Sequence, residues 1–402
     1  QLVDYRAFEK IVYKINDFRN AKAQNEGNYR KFRALYLEKE LEEIYADDII
    51  SGNTKTRETN DASITKFIKT KASNMRDYAD ACIRYLRATG LVNISHIGKS
   101  ISIVPEKIQE VDYFLEHTDR EPVFINNESQ YIEYLGNANT PTLLTDNKEL
   151  LEQKINEEFP TIVISQTATL QQLKDIFADE LERRKEQIIT EQITAIKDYR
   201  LFEDINSTFE QILDNSLYDT PLMLEWNTWR AMTMLDGGNI KANLKFDDFG
   251  SPMSTAQGNM ADIVCDYDSF GLTVEVTMQS GQRQYETEGE PVTRHLAKVK
   301  RETTKPAYCL FIAPNINEAC IAHFYALHKM NISYYGGTST IVPLPLSIFI
   351  KMVEDSHKAS YVPEPTHVQR FFERSNEIAN TTDNEMDWYS GITNEALNWL
   401  ND

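Results

Sequence analysis

The chain has 402 residues, of which 41% are hydrophobic, 26% charged and 10% aromatic. That excludes a disordered chain and exceeds one ordinary core, so two or three folded units are expected. A formal net charge of −20 argues against a protein that binds nucleic acid over its whole surface, yet Lys55 to Lys107 holds ten basic side chains against five acidic ones, +5 in a chain whose remainder carries −25. A local basic segment in an acidic chain fits either a confined DNA contact or a solvated helix face.

No run approaches eighteen consecutive apolar residues, and Gln1-Leu2-Val3-Asp4 lacks the regions of a signal peptide, so a soluble cytoplasmic protein is expected. The four cysteines, Cys82, Cys265, Cys309 and Cys320, have no disulfide or zinc spacing and read as reduced core thiols. The opening glutamine and an immediately helical pattern suggest a piece of a longer protein.

In chain order, Phe8, Ile11, Val12, Ile15 and Phe18 share a helical stripe, with helix-rich sequence continuing to Tyr45 and a break at Ser51-Gly52-Asn53. From Ser63 a long amphipathic helix runs through Ile64, Phe67, Ile68, Met75, Tyr78, Ala79, Cys82, Tyr85 and Leu86 to Thr89-Gly90, with basic residues on its outer side. Leu91 to Ile94 and Ser100 to Val104 form strand-like runs around His96-Ile97-Gly98-Lys99. Helix plus hairpin suggests a winged helix, whose DNA contacts would be Lys66, Lys69, Arg76 and Lys99. A small helical domain with solvated charges is the alternative.

Thr145 to Asn215, with Leu170, Leu173, Phe177 and Leu181 at helical spacing and an interruption at Pro160, reads as a helical connector, or as a helical layer of the following core. Beyond Leu217 helices and strands alternate. Met223 to Met234 is helical; Asp262 to Asp266 and Leu272 to Thr277 form a hairpin through Ser269-Phe270-Gly271; Ala307 to Ala313 and Thr340 to Pro345 are strands. These are the parts of a mixed sheet flanked by helices. The expected organisation is residues 1–145 for recognition, 146–216 as helical linker and 217–402 as catalytic domain, an α+β or α/β multidomain chain.

Gly258-Asn259-Met260-Ala261-Asp262 and Thr273-Val274-Glu275-Val276-Thr277 place two carboxylates at opposite ends of that hairpin, where pairing brings them together. Phosphodiester hydrolysis uses such a pair because magnesium prefers hard oxygen ligands, keeps some waters and activates one for attack. This is the outline of the PD-(D/E)xK nuclease core. The outline alone is weak in a chain with 62 acidic residues, whose carboxylates could simply face solvent, although acids between valines and isoleucines are costly unless paired or metal-bound.

Glu225-Trp226-Asn227-Thr228-Trp229, Gly258-Asn259, Asp262, Glu275-Val276-Thr277, Gln284, Glu288 through His295 (EGEPVTRH) and Tyr308 through Pro314 (YCLFIAP) together resemble the AlwI-like family of Type IIS restriction and nicking endonucleases. Upstream, Arg76-Asp77, Ala79-Asp80, Arg84-Tyr85, Arg87 and Thr89-Gly90-Leu91 resemble the family's second recognition subdomain. The resemblance implies an N-terminal recognition region, a helical linker and a prokaryotic, cytoplasmic enzyme that cuts duplex DNA outside an asymmetric site. A first recognition subdomain carried by family members is expected to be missing. It further implies Asp262, Glu275 and Glu288 as ligands of one or two Mg2+ ions, with Mn2+ as a substitute. Glu225, Gln284 and His295 complete the catalytic set, and Thr277 stands where such nucleases usually have lysine. His295 could instead bridge near a turn at Pro291, Gln284 could be a surface amide, and Trp226 and Trp229 read as core. One active site cuts one strand, so double-strand cleavage requires a second copy or a smaller catalytic subunit. The competing reading is an inactive nuclease-fold protein that only binds DNA.

Overall fold

A computed structural model describes residues 38–95, 100–118, 127–235, 237–359 and 363–401. The expected first helix, with Phe8 to Phe18, lies outside them, as does Lys99. Two compact units divide at Thr89/Gly90.

In the first unit, α1 (Ala46–Ser51) ends at Gly52 in the left-handed conformation, and α2 (Ile64–Ala88) starts at Ser63, whose side chain accepts from Lys66 N–H. The apolar stripe of α2 is buried at one end only. Phe67, Ile68 and Ala72 pack with Leu41, Ile44, Tyr45 and Ile49, whereas Tyr78, Tyr85 and Leu86 are exposed, Tyr85 by 75%. Cys82 is exposed with them, which corrects the expectation of a core thiol; Cys265, Cys309 and Cys320 are buried, and all four are free.

The second unit opens with an antiparallel hairpin, β1 (Val92–Ile94) and β2 (Ile101–Ile103), in register Val92 to Ile103. The expected helix and hairpin therefore both form, in different units. Helices α3 (Ile108–His117), α4 (Glu128–Gly136), α5 (Lys148–Glu158) and α6 (Leu170–Lys197) follow. Thr169 and Gln172 close a capping box at the start of α6. Leu151, Ile155, Phe159, Leu173 and Phe177 form a small core of their own. Ile196 at the end of α6 and Phe202, Ile205, Phe209 and Ile212 of α7 (Phe202–Leu213) instead join the main core, so this segment has a core of its own at one end and is a core layer at the other.

Helix α8 (Thr220–Met234) is buried on nearly every side, as a helix without an amphipathic pattern must be. It packs on a five-stranded sheet in the order β3 (Asn239–Ala242), β6 (Ile263–Asp266), β7 (Gly271–Val276), β8 (Ala307–Ala313) and β9 (Ile341–Pro345). The first three strands are antiparallel and the last three parallel. A small hairpin, β4 (Lys245–Phe246) with β5 (Pro252–Ser254), stands between β3 and β6. Helix α9 (Gln282–Glu302) crosses from β7 to β8; α10 (Glu318–Lys329), α11 (Leu346–Lys358), α12 (Pro365–Thr381) and α13 (Glu385–Ala396) complete the layers. Pro291, expected at a turn, lies inside α9. No helix among the described residues is long and apolar enough to cross a membrane.

One buried cation ties the front of this unit together. Lys154 Nζ, 3% exposed, reaches Glu158 (2.7 Å), Glu110 (3.1 Å) and the Glu106 carbonyl (3.3 Å). Burial opposes its charge, but the carboxylates outweigh burial and raise its pKa. Removing the amine leaves Glu158 to Arg184 (3.0 Å) and Glu110 to the longer Lys107 contact (3.7 Å), so Lys154→Ala is expected to lose roughly 1.5–3 kcal/mol, read as a lower denaturation midpoint; an unchanged midpoint would show that the cluster holds nothing.

Candidate active site

Side chains alternate along β7, so Thr273, Glu275 and the following Thr277 share one face while Leu272 and Val274 fill the other. The pairing of Ile263 with Val274 sets Asp262, just before β6, beside Glu275. Helix α9 supplies the opposite wall: Glu288 and His295 are seven residues apart, two turns, and present the same side. Its entry needs Gly281 at φ +62°, where a side chain would be strained. Helix α8 adds Glu225 from behind.

These elements enclose an open cleft of about 430 Å3 whose wall includes Glu225, Asp262, Glu275, Glu288 and His295. Each carboxylate is steered by a neutral or backbone donor. Val276 N–H donates to Asp262 Oδ2 (2.8 Å) and Ala256 N–H to Glu225 Oε1 (2.8 Å), while the Thr277 hydroxyl donates to Glu288 Oε1 (2.8 Å). His295 Nδ1 lies 2.9 Å from Glu275 Oε1, and its Nε2 is buried without a protein partner.

Burial dominates the electrostatics. It pushes Asp262 and Glu275 well above the ordinary carboxylate range, with Glu275 repelling the first and Glu288 the second. Glu225, 3% exposed, is raised to about 8 by burial and then by Asp262. Burial also lowers the His295 pKa, helped by Arg294. The His295–Glu275 contact has ion-pair spacing, but burial disfavours the charged form of both partners.

Gln284 is not on the cleft wall. It is 0% exposed, with Nε2 donating to the Gln279 and Asn315 carbonyls (both 2.9 Å) and Oε1 accepting from Asn317 N–H (2.7 Å). The amide expected in the catalytic set, with a surface position as its alternative, is buried and braces the loops that follow β7 and β8. Of the expected DNA contacts, Lys66 and Lys69 are exposed on α2 and Arg76 follows on the same helix. The residues missed by sequence reasoning are Ala256, which holds Glu225 through its backbone, and Arg294 with Asn259, both on the cleft wall. Only the basic character of Arg294 beside His295 could have signalled the pair.

A carboxyl whose pKa is higher in the folded than in the unfolded chain binds extra protons in the folded state, so its contribution to stability falls as pH rises between the two values. For Glu225 that window runs from 4.5 to about 8. Glu225→Gln keeps an acceptor for Ala256 N–H and removes the charge. In chelator it should melt with wild type near pH 5 and above it at pH 8.5, by about 2–4 °C for each kcal/mol relieved. A melting difference independent of pH would contradict this account.

The model of the AlwI restriction endonuclease family matches residues 1–352. Among solved structures, the small subunit of the heterodimeric restriction endonuclease R.BspD6I is similar, with 24% identity over 49% of this chain and 95% of that one and a TM-score of 0.40. No curated protein sequence matches. With the family pattern spanning most of its length, the chain belongs to the AlwI restriction endonuclease family.

Proposed function

We propose that this family nuclease is a Type IIS enzyme that hydrolyses one strand of duplex DNA per active site, at a distance from an asymmetric site, with magnesium as cofactor. The observation that carries the reading is the gathering of Glu225, Asp262, Glu275 and Glu288, with His295, on one cleft at one end of the central strands β6 and β7 of a mixed sheet.

The donor set fits a divalent ion. Asp262, Glu275 and Glu288 offer hard oxygens, and burial and mutual repulsion disfavour the Asp262 and Glu275 anions, a cost that a cation relieves. Among the described residues no three His, Cys, Asp or Glu side chains already form a metal-holding group. Mg2+ takes one or two carboxylates directly and completes its shell with waters and phosphate oxygens, so it does not require all three acids to converge on one point. When bound, Mg2+, or Mn2+ in its place, supplies positive charge to the phosphate and acidifies the attacking water.

The protein's own groups position and orient. Asp262, Glu275 and Glu288 are the residues that would hold the ion; His295 Nδ1 orients Glu275, Ala256 fixes Glu225 behind Asp262, and Gln284 keeps the β7–α9 loop in register. Water oxygen bonds to phosphorus, the bond from phosphorus to the 3′ oxygen breaks, and the proton lost by water is matched by one gained at that oxygen. The products are a 5′-phosphate and a 3′-hydroxyl. Residues 1–145 serve recognition in this reading, with Lys66, Lys69, Arg76 and Lys99 on phosphates. Cleavage of both strands then requires a second catalytic domain, from another copy or a smaller subunit.

With supercoiled plasmid and Mg2+, the chain should give open circles, or linear product if catalytic domains pair. Asp262→Ala and Glu275→Ala, checked for folding, should each lose at least about 1,000-fold, roughly 4 kcal/mol of transition-state stabilisation. Variants as fast as wild type would remove the assigned site.

A further inference from the structure

Arg294 is the only lysine or arginine among the described residues of the cleft wall, which otherwise carries four carboxylates. An approaching phosphodiester is an anion entering an acidic cleft, so a fixed cation there has a specific use. Arg294 is fixed: Nε lies 3.2 Å from both oxygens of Glu290 one turn earlier on α9, and Nη1 donates to Asn259 Oδ1. Asn259 itself sits at φ +71°, a left-handed conformation that asparagine tolerates. The Arg294 side chain remains 35% exposed, and Nη2 has no partner among the described residues.

A structural arginine buries its fork and spends its donors on protein. Arg294 spends its Nε on a half-exposed carboxylate and Nη1 on Asn259, a neutral neighbour on the cleft wall, and leaves Nη2 free of partners among the described residues. A planar guanidinium that uses Nη2 and exchanges Asn259 for phosphate at Nη1 matches two nonbridging phosphate oxygens, which an ammonium cannot engage in the same paired geometry.

We propose that Arg294, held by Glu290 and Asn259, is the substrate-binding residue that grips a phosphate of the strand being cut. The inference rests on the nuclease reading and deepens it by naming the group that offsets the acidic wall. Phosphate enters at the Nη edge while Glu290 keeps Nε in place; Asn259 gives its acceptor contact up or shares it.

The test is plasmid nicking by the full chain with Mg2+, measured against salt for wild type, Arg294→Gln, Arg294→Lys and Glu275→Ala. Arg294→Gln should fall about 10–100-fold in kcat/KM with an unchanged melting temperature, and the slope of log kcat/KM against log salt should flatten by about one, because one phosphate contact is lost. Arg294→Lys keeps the charge, so it should keep the slope and recover part of the rate. Wild-type rate in Arg294→Gln beside an inactive Glu275→Ala would overturn this inference alone. A slow Arg294→Gln with the full wild-type slope would mark a structural role and overturn it as well. If Arg294→Gln did not fold, Arg294→Lys decides: a folded lysine variant with a flattened slope contradicts the proposal. An inactive wild type, or Glu275→Ala as fast as wild type, would remove the nuclease reading and this inference with it.

Discussion

The structure depends on keeping four carboxyl groups on one partly dehydrated cleft. Anions removed from water and placed near one another are unstable unless something neutralises them. Among the described residues no lysine or arginine contacts Asp262, Glu275 or Glu225. Each instead receives a backbone N–H or a neutral imidazole, which fixes direction without cancelling charge. The unmet demand for positive charge is what makes the cleft suited to a divalent ion, and Arg294 stands at its margin rather than among the acids.

Holding such a site needs a scaffold that cannot relax. Each acid sits on an element whose other face is committed to the main core. Leu272 and Val274 of β7 are fully buried behind Glu275, Val292 and Leu296 of α9 are buried next to the positions of Glu288 and His295, and α8 is packed almost throughout. Separating the carboxylates would require breaking the β6–β7 pairing or lifting α9 from the sheet, both costlier in lost packing than the repulsion they would relieve. The strain is therefore retained and shows as raised pKa values.

What the sequence made legible was what repeats or is local. The β6–β7 hairpin, the apolar β8 strand and the buried α8 follow from two-residue and 3.6-residue periodicity, and the opposed positions of Asp262 and Glu275 follow from the hairpin itself. Glu288 and His295 came from family resemblance, although their two-turn spacing was available to geometry. The rest depended on contacts that pattern does not encode. Arg294 meets Asn259 across 35 residues, and Gln284 braces a loop 31 residues away. Pro291 reads as a breaker but is carried inside α9 by packing of the residues on either side. Cys82 and Tyr85 satisfy an apolar period whose burial depends on a neighbour, and the described core of the first unit covers only the Phe67 end of α2.

The second unit also joins its front to its cleft. Lys107 bridges Glu110 (3.7 Å) and Asp248 (3.2 Å), and Glu110 in turn meets the buried Lys154. Asp248 stands in the turn between β4 and β5, a turn that also rests on α6, where Arg184 lies over Phe249. From β5 the chain passes within two residues to Ala256, whose N–H holds Glu225, and then to Asn259 beside Arg294. The segment around Lys107 is therefore connected to the cleft wall through one ion pair and one short hairpin. Two of the groups that define the cleft, the most buried acid and the marginal arginine, are anchored to that same loop, so its placement sets both together.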